Sequence, residues 1–164
     1  MKRFITCFVL CLTSFVFAQN STKENTTSHF VINAGYDYWN GNFGRVGADL
    51  YLFREYRNIL TFSANADLGY MRDKFRVIPE VGVGYLFNFK ENHGDPYSSY
   101  VNAPFYVVRA DISPWTVTPK IGLAVLGLIE LNAGYAFEFN ENKNFKSMDG
   151  IRAGITFHIP TVIF

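Results

Sequence analysis

Alternation of apolar and polar residues with a period of two is the feature of this sequence that most restricts its fold. The alternation recurs in eight segments, and in the core of each segment one of the two faces carries no charged residue. A period of two is typical of β-strands whose faces meet different surroundings. The segments are His29–Asp37, Phe43–Leu52, Ile59–Tyr70, Phe75–Phe87, Phe105–Ile112, Val117–Val125, Ile129–Phe139 and Ile151–Ile159.

The polar face of these segments combines charged residues with glycines, and four of the glycines stand directly before a tyrosine. The lumen of an eight-stranded barrel is just wide enough for its side chains to fill it. Long charged side chains need glycines beside them to fit there, whereas several dozen bulky apolar side chains would not fit. We therefore expect the glycines Gly35, Gly69, Gly84 and Gly134 to face the lumen and the apolar face to lie outside.

An apolar exterior is stable only in lipid, where open sheet edges would leave backbone groups without partners. The sequence therefore predicts an all-β protein, an eight-stranded antiparallel up-and-down transmembrane β-barrel. A soluble barrel with an apolar interior is the alternative, because such a barrel alternates as well.

The first residues predict export. Lys2 and Arg3 precede an apolar run that is too short to span a bilayer, and Ala18 provides a small residue at its end. This is the pattern of a secretory signal peptide. We predict a signal peptide over residues 1–18, a flexible polar leader over 19–28 and the barrel domain over 29–164.

Cleavage after residue 18 restricts the chemistry of the mature chain. Cys7 and Cys11, the only cysteines, leave with the signal peptide, which excludes disulfides and thiolate sites. Loss of Lys2 and Arg3 leaves 13 of the 15 basic residues against 14 acidic ones. No nucleic-acid partner is indicated, since such a partner requires a basic face.

Aromatic residues near the strand ends predict two belts at the membrane–water interfaces, where amphipathic rings are favoured. With a periplasmic N-terminus, one group belongs to the outer interface and the other to the inner interface. The outer group is Tyr36, Tyr70, Tyr135 and Phe137, and the inner group is Tyr85, Phe87 and Phe157.

Charged residues on the luminal face predict a plug of ion pairs, because buried charges must be paired. A narrow ion-selective channel lined by the same charges is the alternative. The predicted network is Arg45, Asp49, Asp67, Glu80, Arg109, Asp111, Lys120, Glu130, Glu138 and Arg152.

No catalytic, cofactor or metal site is predicted. His29 opens the first strand, and His158 faces the lumen at the inner end of the last strand. His93 lies in the longest linker, where a solvated polar loop is favoured over the alternative of a metal site with Glu91 and Asp95. No serine–histidine–acid set converges on this map. A lipid A-modifying enzyme of the outer leaflet is the less favoured alternative.

The pattern, the charged lumen and the aromatic belts resemble the small outer-membrane β-barrel proteins of Gram-negative bacteria, of the OmpA/OmpX type. The likeness extends from Phe30 to Ile159. The sequence Phe17-Ala18-Gln19 is similar to the signal-peptide ends of uncharacterised single-barrel proteins of the Bacteroidetes group. The terminal Phe164 resembles the C-terminal aromatic residue that such proteins present to the barrel-assembly machinery.

The resemblance implies residence in the cell outer membrane, with the lipid bilayer, lipopolysaccharide and the barrel-assembly machinery as partners. Loops around Trp39 and from Asn140 to Gly150 are expected outside, where they are candidates for binding a surface ligand. Two features depart from the family pattern: Pro160 interrupts the last strand, and the linker Asn88–Pro104 is long for a periplasmic turn.

Overall fold

The computed structural model describes residues 27–53, 58–87, 104–140, 145 and 147–161. All eight predicted strands are present, and their boundaries lie within two residues of the predicted ones. The strands are β1 (Thr27–Trp39), β2 (Asn42–Phe53), β3 (Asn58–Met71), β4 (Lys74–Phe87), β5 (Phe105–Ile112), β6 (Thr116–Val125), β7 (Ile129–Glu138) and β8 (Gly150–Pro160).

The strands form one closed antiparallel barrel in sequence order, with β1 paired to β8. The predicted all-β, eight-stranded, up-and-down barrel is therefore confirmed. A path along paired positions leaves β1 at Thr27 and returns to it at Asp37, ten residues further on. Such a stagger requires strands that tilt from the barrel axis, and it places luminal residues of neighbouring strands in rows.

We call the end with the β1–β2, β3–β4, β5–β6 and β7–β8 connections the upper rim, and the opposite end the lower rim. One connection at each rim is a tight turn in which both central residues have positive φ. These are Arg72 and Asp73 between β3 and β4, and Leu126 and Gly127 between β6 and β7. Turns of this conformation match the right-handed twist of the paired strands.

The two faces of the barrel point as predicted. Apolar residues such as Ile32, Phe62 and Leu131 are exposed on the exterior, and Asp49, Arg109 and Glu130 are buried in the lumen. The four glycines that precede tyrosines make room in that lumen. An added Cβ at any of Gly35, Gly69, Gly84 or Gly134 would overlap an atom of a neighbouring strand.

Apolar side chains close the lumen at both ends, which the sequence did not predict. The lower cap consists of Val31, Tyr51, Phe53, Ile59, Leu86, Phe105, Val107 and Ala124. The upper cap consists of Trp39, Phe43, Met71, Ile78, Ala136, Phe145 and Met148, with Trp115 packed against it.

Trp39 was expected in the loop between the first two strands, and the structure corrects that placement. Trp39 is the last residue of β1, its parity directs it inward, and its side chain is buried. Its indole Nε1 donates a hydrogen bond to the carbonyl of Met148 at 2.7 Å. Phe145 also turns inward and packs on Trp115, with 4.8 Å between ring centroids. Both upper-rim segments therefore contribute their large apolar residues to the upper cap.

The predicted signal peptide, residues 19–26 of the leader, residues 88–103 of the long linker and Phe164 lie outside the described residues. Within the described residues, β8 continues to Pro160, which pairs with Val31 of β1. No helix in the described part of the chain has the length and apolar character needed to cross a membrane.

Candidate functional site: the ion-paired lumen

Seven charged side chains form one group in the upper half of the lumen, which we call the upper cluster. Its members are Asp37, Arg45, Asp67, Glu80, Asp111, Lys120 and Arg152, and all are buried. They come from seven of the eight strands, because alternation turns every second residue inward and the stagger brings distant strands to one height.

Arg45 is at the centre of the upper cluster. Its guanidinium lies 3.0 Å from Asp37, 2.9 Å from Asp67 and 3.4 Å from Asp111, and it also contacts Glu80. A guanidinium has five donors in a planar fork, so it can serve several carboxylates at once. Arg45 therefore connects carboxylates of β1, β3, β4 and β5.

Arg152 and Lys120 complete the upper cluster. Arg152 lies 2.5 Å from Asp37 and contacts Asp67 and Glu80. Its guanidinium also stacks on the indole of Trp39, 4.4 Å from the ring centroid. Lys120 lies 2.9 Å from Asp111 and 3.6 Å from Asp37. The upper cluster is thus bound directly to the upper cap through Arg152.

Four residues form a second group, the lower cluster: Asp49, Arg109, Glu130 and His158. Arg109 lies 3.4 Å from Glu130 and 3.9 Å from Asp49. His158 lies between the same carboxylates, with Nδ1 3.1 Å from Asp49 and Nε2 3.5 Å from Glu130. The hydroxyl of Tyr51 is 3.2 Å from Nδ1, which connects the lower cluster to the lower cap.

Neutral polar side chains fill the space between these charges. Asn33 donates to Asp49 at 2.8 Å and to the side-chain oxygen of Asn65 at 2.9 Å. Asn132 donates to Glu130 at 3.1 Å. Polar partners of this kind reduce the cost of burying carboxylates.

Nine of the ten predicted network residues belong to the two clusters, and Glu138 does not. Glu138 is the last residue of β7, at the upper rim, where its carboxylate accepts hydrogen bonds from the Ser147 hydroxyl and the Met148 amide. Its position in the network was therefore predicted wrongly, because parity gives the side of a strand and not the height at which the strand ends.

Sequence reasoning missed two members of the clusters. Asp37 and His158 were recognised as luminal but were not assigned partners. Asp37 contacts Arg45, Lys120 and Arg152 because β1 is hydrogen-bonded to β8 across the closure of the barrel. The pairing of β1 with β8 would have indicated the contact between Asp37 and Arg152, because it brings Asp37 beside Gly154, two residues from Arg152.

The predicted aromatic belt residues lie at the two ends of the barrel. Tyr36, Tyr70, Tyr135 and Phe137 are exposed near the upper rim. The hydroxyls of the three tyrosines donate hydrogen bonds to rim residues: Tyr36 to Asn42 at 2.5 Å, Tyr70 to the carbonyl of Asp73 at 2.9 Å, and Tyr135 to Asp149 at 2.8 Å. The second group lies near the lower rim and consists of Tyr85, Phe87 and Phe157.

The chain has no significant match when it is compared with protein families, with curated proteins and with solved structures. In the described part of the chain, no three His, Cys, Asp or Glu side chains are arranged to hold a metal ion. The fold and the lumen define a closed eight-stranded barrel whose interior is filled by buried ion pairs.

Proposed function

We propose that this chain is an integral outer-membrane β-barrel protein without enzymatic activity, whose lumen is plugged by ion pairs. Its role is envelope integrity or interaction at the cell surface through its upper rim. The observation that carries the proposal is the inverted distribution of residues, with charges buried in the lumen and large apolar side chains on the exterior.

The exterior supports membrane residence. Large apolar side chains are exposed on every strand, including Val81 on β4, Ile121 on β6 and Ile151 on β8. A soluble monomer rarely exposes a contiguous apolar patch larger than a few hundred Å². Exposed tyrosines at both ends suit the depth of the two membrane–water interfaces. The signal peptide predicted from the sequence adds the export route that an outer-membrane barrel needs.

The two clusters and the two caps support a closed lumen. A continuous aqueous pore would have to pass Trp39, Phe43 and Met148 at one end and Tyr51, Phe53 and Phe105 at the other. Between the caps, Arg45 and Arg152 link carboxylates from several strands. Ion pairs of this kind hold the wall of the barrel together from inside and occupy the path that an ion would take.

The buried histidine does not favour an enzymatic role. Both ring nitrogens of His158 face carboxylates. The side chain is buried in the lumen beside Tyr51 of the lower cap, away from the upper rim. Chemistry on lipid in the outer leaflet requires a group that reaches the exterior near the outer interface. In the proposed orientation His158 is at the opposite end and inside the barrel.

Four measurements test the proposal. The protein should remain in the pellet of carbonate-washed outer membranes, and its unheated form should migrate differently from its heated form on a detergent gel. Release into the supernatant would contradict membrane residence. In planar bilayers the purified barrel should give no steady conductance, whereas uniform single-channel steps would contradict the closed lumen. A change in lipid A mass upon expression would contradict the absence of enzymatic activity.

A further inference from the structure

The upper cluster has one more acidic group than basic groups. Asp37, Asp67, Glu80 and Asp111 face only Arg45, Lys120 and Arg152. In the lower cluster, by contrast, two carboxylates face Arg109 and His158. At the upper rim, Arg76 stacks on the ring of Phe145 and belongs to neither cluster.

A surplus carboxylate inside a barrel is costly, because an unpaired charge that is taken out of water loses its hydration without gaining a partner. Asp37 and Asp111 of the upper cluster each have a carboxylate oxygen without a hydrogen-bond partner among the described residues, and Asp111 is the one whose free oxygen lies near an unpartnered hydroxyl, that of Ser63. Its Oδ2 faces Lys120 at 2.9 Å and Arg45 at 3.4 Å. Its Oδ1 has no hydrogen-bond partner among the described residues.

The free oxygen of Asp111 points to a niche above Gly82. Ser63, Gly82, Asp111 and Thr118 lie in one cross-strand row of the lumen wall, on β3, β4, β5 and β6. An added Cβ on Gly82 would overlap Asp111 Oδ1 and would lie 2.5 Å from Ser63 Oγ, so both oxygens converge on one place.

Two hydroxyl oxygens of this row lack a hydrogen-bond partner, as Asp111 Oδ1 does. Ser63 Oγ and Thr118 Oγ1 are both buried, and neither has a hydrogen-bond partner in the described part of the chain. Buried hydroxyls that lack a partner are rare in folded proteins and call for an explanation, such as a bound ion.

We propose that the niche above Gly82, between Ser63 and Asp111, binds one small monovalent cation of the sodium type. One carboxylate oxygen and one hydroxyl oxygen meet at the niche, with Thr118 at the next position of the row, and hard oxygen ligands suit alkali and alkaline-earth ions. A single positive charge neutralises the single surplus carboxylate of the upper cluster. The site goes beyond the proposed function, because it depends on the lumen and not on where the barrel resides.

The first test measures the stability of the folded barrel in detergent micelles. Unfolding in urea is followed in sodium chloride and in choline chloride at equal ionic strength, because choline is too large for the niche. We expect sodium alone to stabilise the barrel, with the folding equilibrium constant rising in proportion to sodium concentration above the dissociation constant. Equal stability in the two salts would overturn the proposal.

Variants locate the effect. Ser63→Ala removes one ligand, and Asp111→Asn removes the surplus charge, so both should lose the difference between sodium and choline. Gly82→Ala fills the niche with a methyl group and should lose the difference as well. Gly44→Ala is its matched control, since the added Cβ would meet only the Leu68 carbonyl at 3.9 Å. A sodium effect that persists in Ser63→Ala and Asp111→Asn would overturn the assignment.

A direct measurement keeps the proposal testable if these variants fail to fold. Crystals of the unaltered protein grown with thallium(I) should show an anomalous peak within coordination distance of Asp111 Oδ1 and Ser63 Oγ. A peak without anomalous signal at that place would identify an ordered water instead and would overturn the proposal. Neither test requires the barrel to reside in a membrane, so failure here leaves the proposed function intact.

Discussion

Replacement of Arg152 by methionine tests the ion-paired lumen most sharply. Arg152 is completely buried, contacts Asp37, Asp67 and Glu80, and stacks on Trp39. Methionine has a comparable length and no charge, so the substitution removes the cation without leaving a large cavity. Three carboxylates then lose a partner inside the barrel.

The expected loss is large. Removing one member of a buried ion pair costs about 3–5 kcal/mol, because the remaining charge stays buried without compensation. Loss of the stacking on Trp39 adds up to about 2 kcal/mol for a desolvated cation–π contact. We therefore expect Arg152→Met to lower the free energy of unfolding by roughly 3–7 kcal/mol. The matched control Lys74→Met, at the exposed upper rim, should change it by no more than about 0.5 kcal/mol.

The assay is reversible urea unfolding of the barrel in micelles, followed by far-ultraviolet circular dichroism and by heat-dependent gel migration. Fluorescence is a poor sole probe here, because Trp39 is one of only two tryptophans and contacts Arg152 directly. The double variant Arg152→Met, Glu80→Met should be less unstable than the sum of the two single variants, by about 0.5–3 kcal/mol. Equal losses for Arg152→Met and Lys74→Met, with strict additivity in the double variant, would refute the reasoning.

Three further predictions test other parts of the barrel. Ile121→Arg, in the middle of the exterior of β6, should reduce the free energy of unfolding in vesicles by about 2–4 kcal/mol. Its control Tyr106→Arg, near the lower rim, should reduce it by about 0–1 kcal/mol. Equal effects of the two substitutions would argue against lipid at that surface. Gly134→Ala should lose about 1–3 kcal/mol through overpacking, measured by urea unfolding, whereas Gly44→Ala should be neutral. Trp39→Phe should lose about 0.5–1.5 kcal/mol with its hydrogen bond to the β7–β8 loop, and an unchanged midpoint would contradict that contact.

Strand positions and facing were predictable from the sequence, because one variable, the parity of each residue, determines both. Charged residues such as Arg45 and Asp67 lie on the opposite parity from Leu50 and Leu68, and the structure separates them to the two sides of the wall. Closure of the sheet followed from the same pattern, since an apolar exterior with open edges has no stable surroundings.

The height of each side chain in the barrel was not predictable, because height depends on register and on the stagger around the closed sheet. That is why Glu138 was placed in the network and Asp37 was left without partners. The caps were missed for a related reason: Trp39 and Phe145 were read as loop residues because they stand beside turn-forming residues. Their burial depends on tertiary contacts such as the bond from Trp39 to the Met148 carbonyl.

The central claim, that the apolar face contacts acyl chains, is tested most directly by spin labels on two neighbouring residues of β7. Leu131 is exposed on the exterior and Asn132 is buried in the lumen, and the predicted mature chain has no cysteine to interfere. In vesicles, a label on Leu131→Cys should collide with oxygen, which dissolves in lipid, and not with a water-soluble nickel complex. A label on Asn132→Cys should be shielded from both. Strong collision of the Leu131 label with the nickel complex would contradict the account.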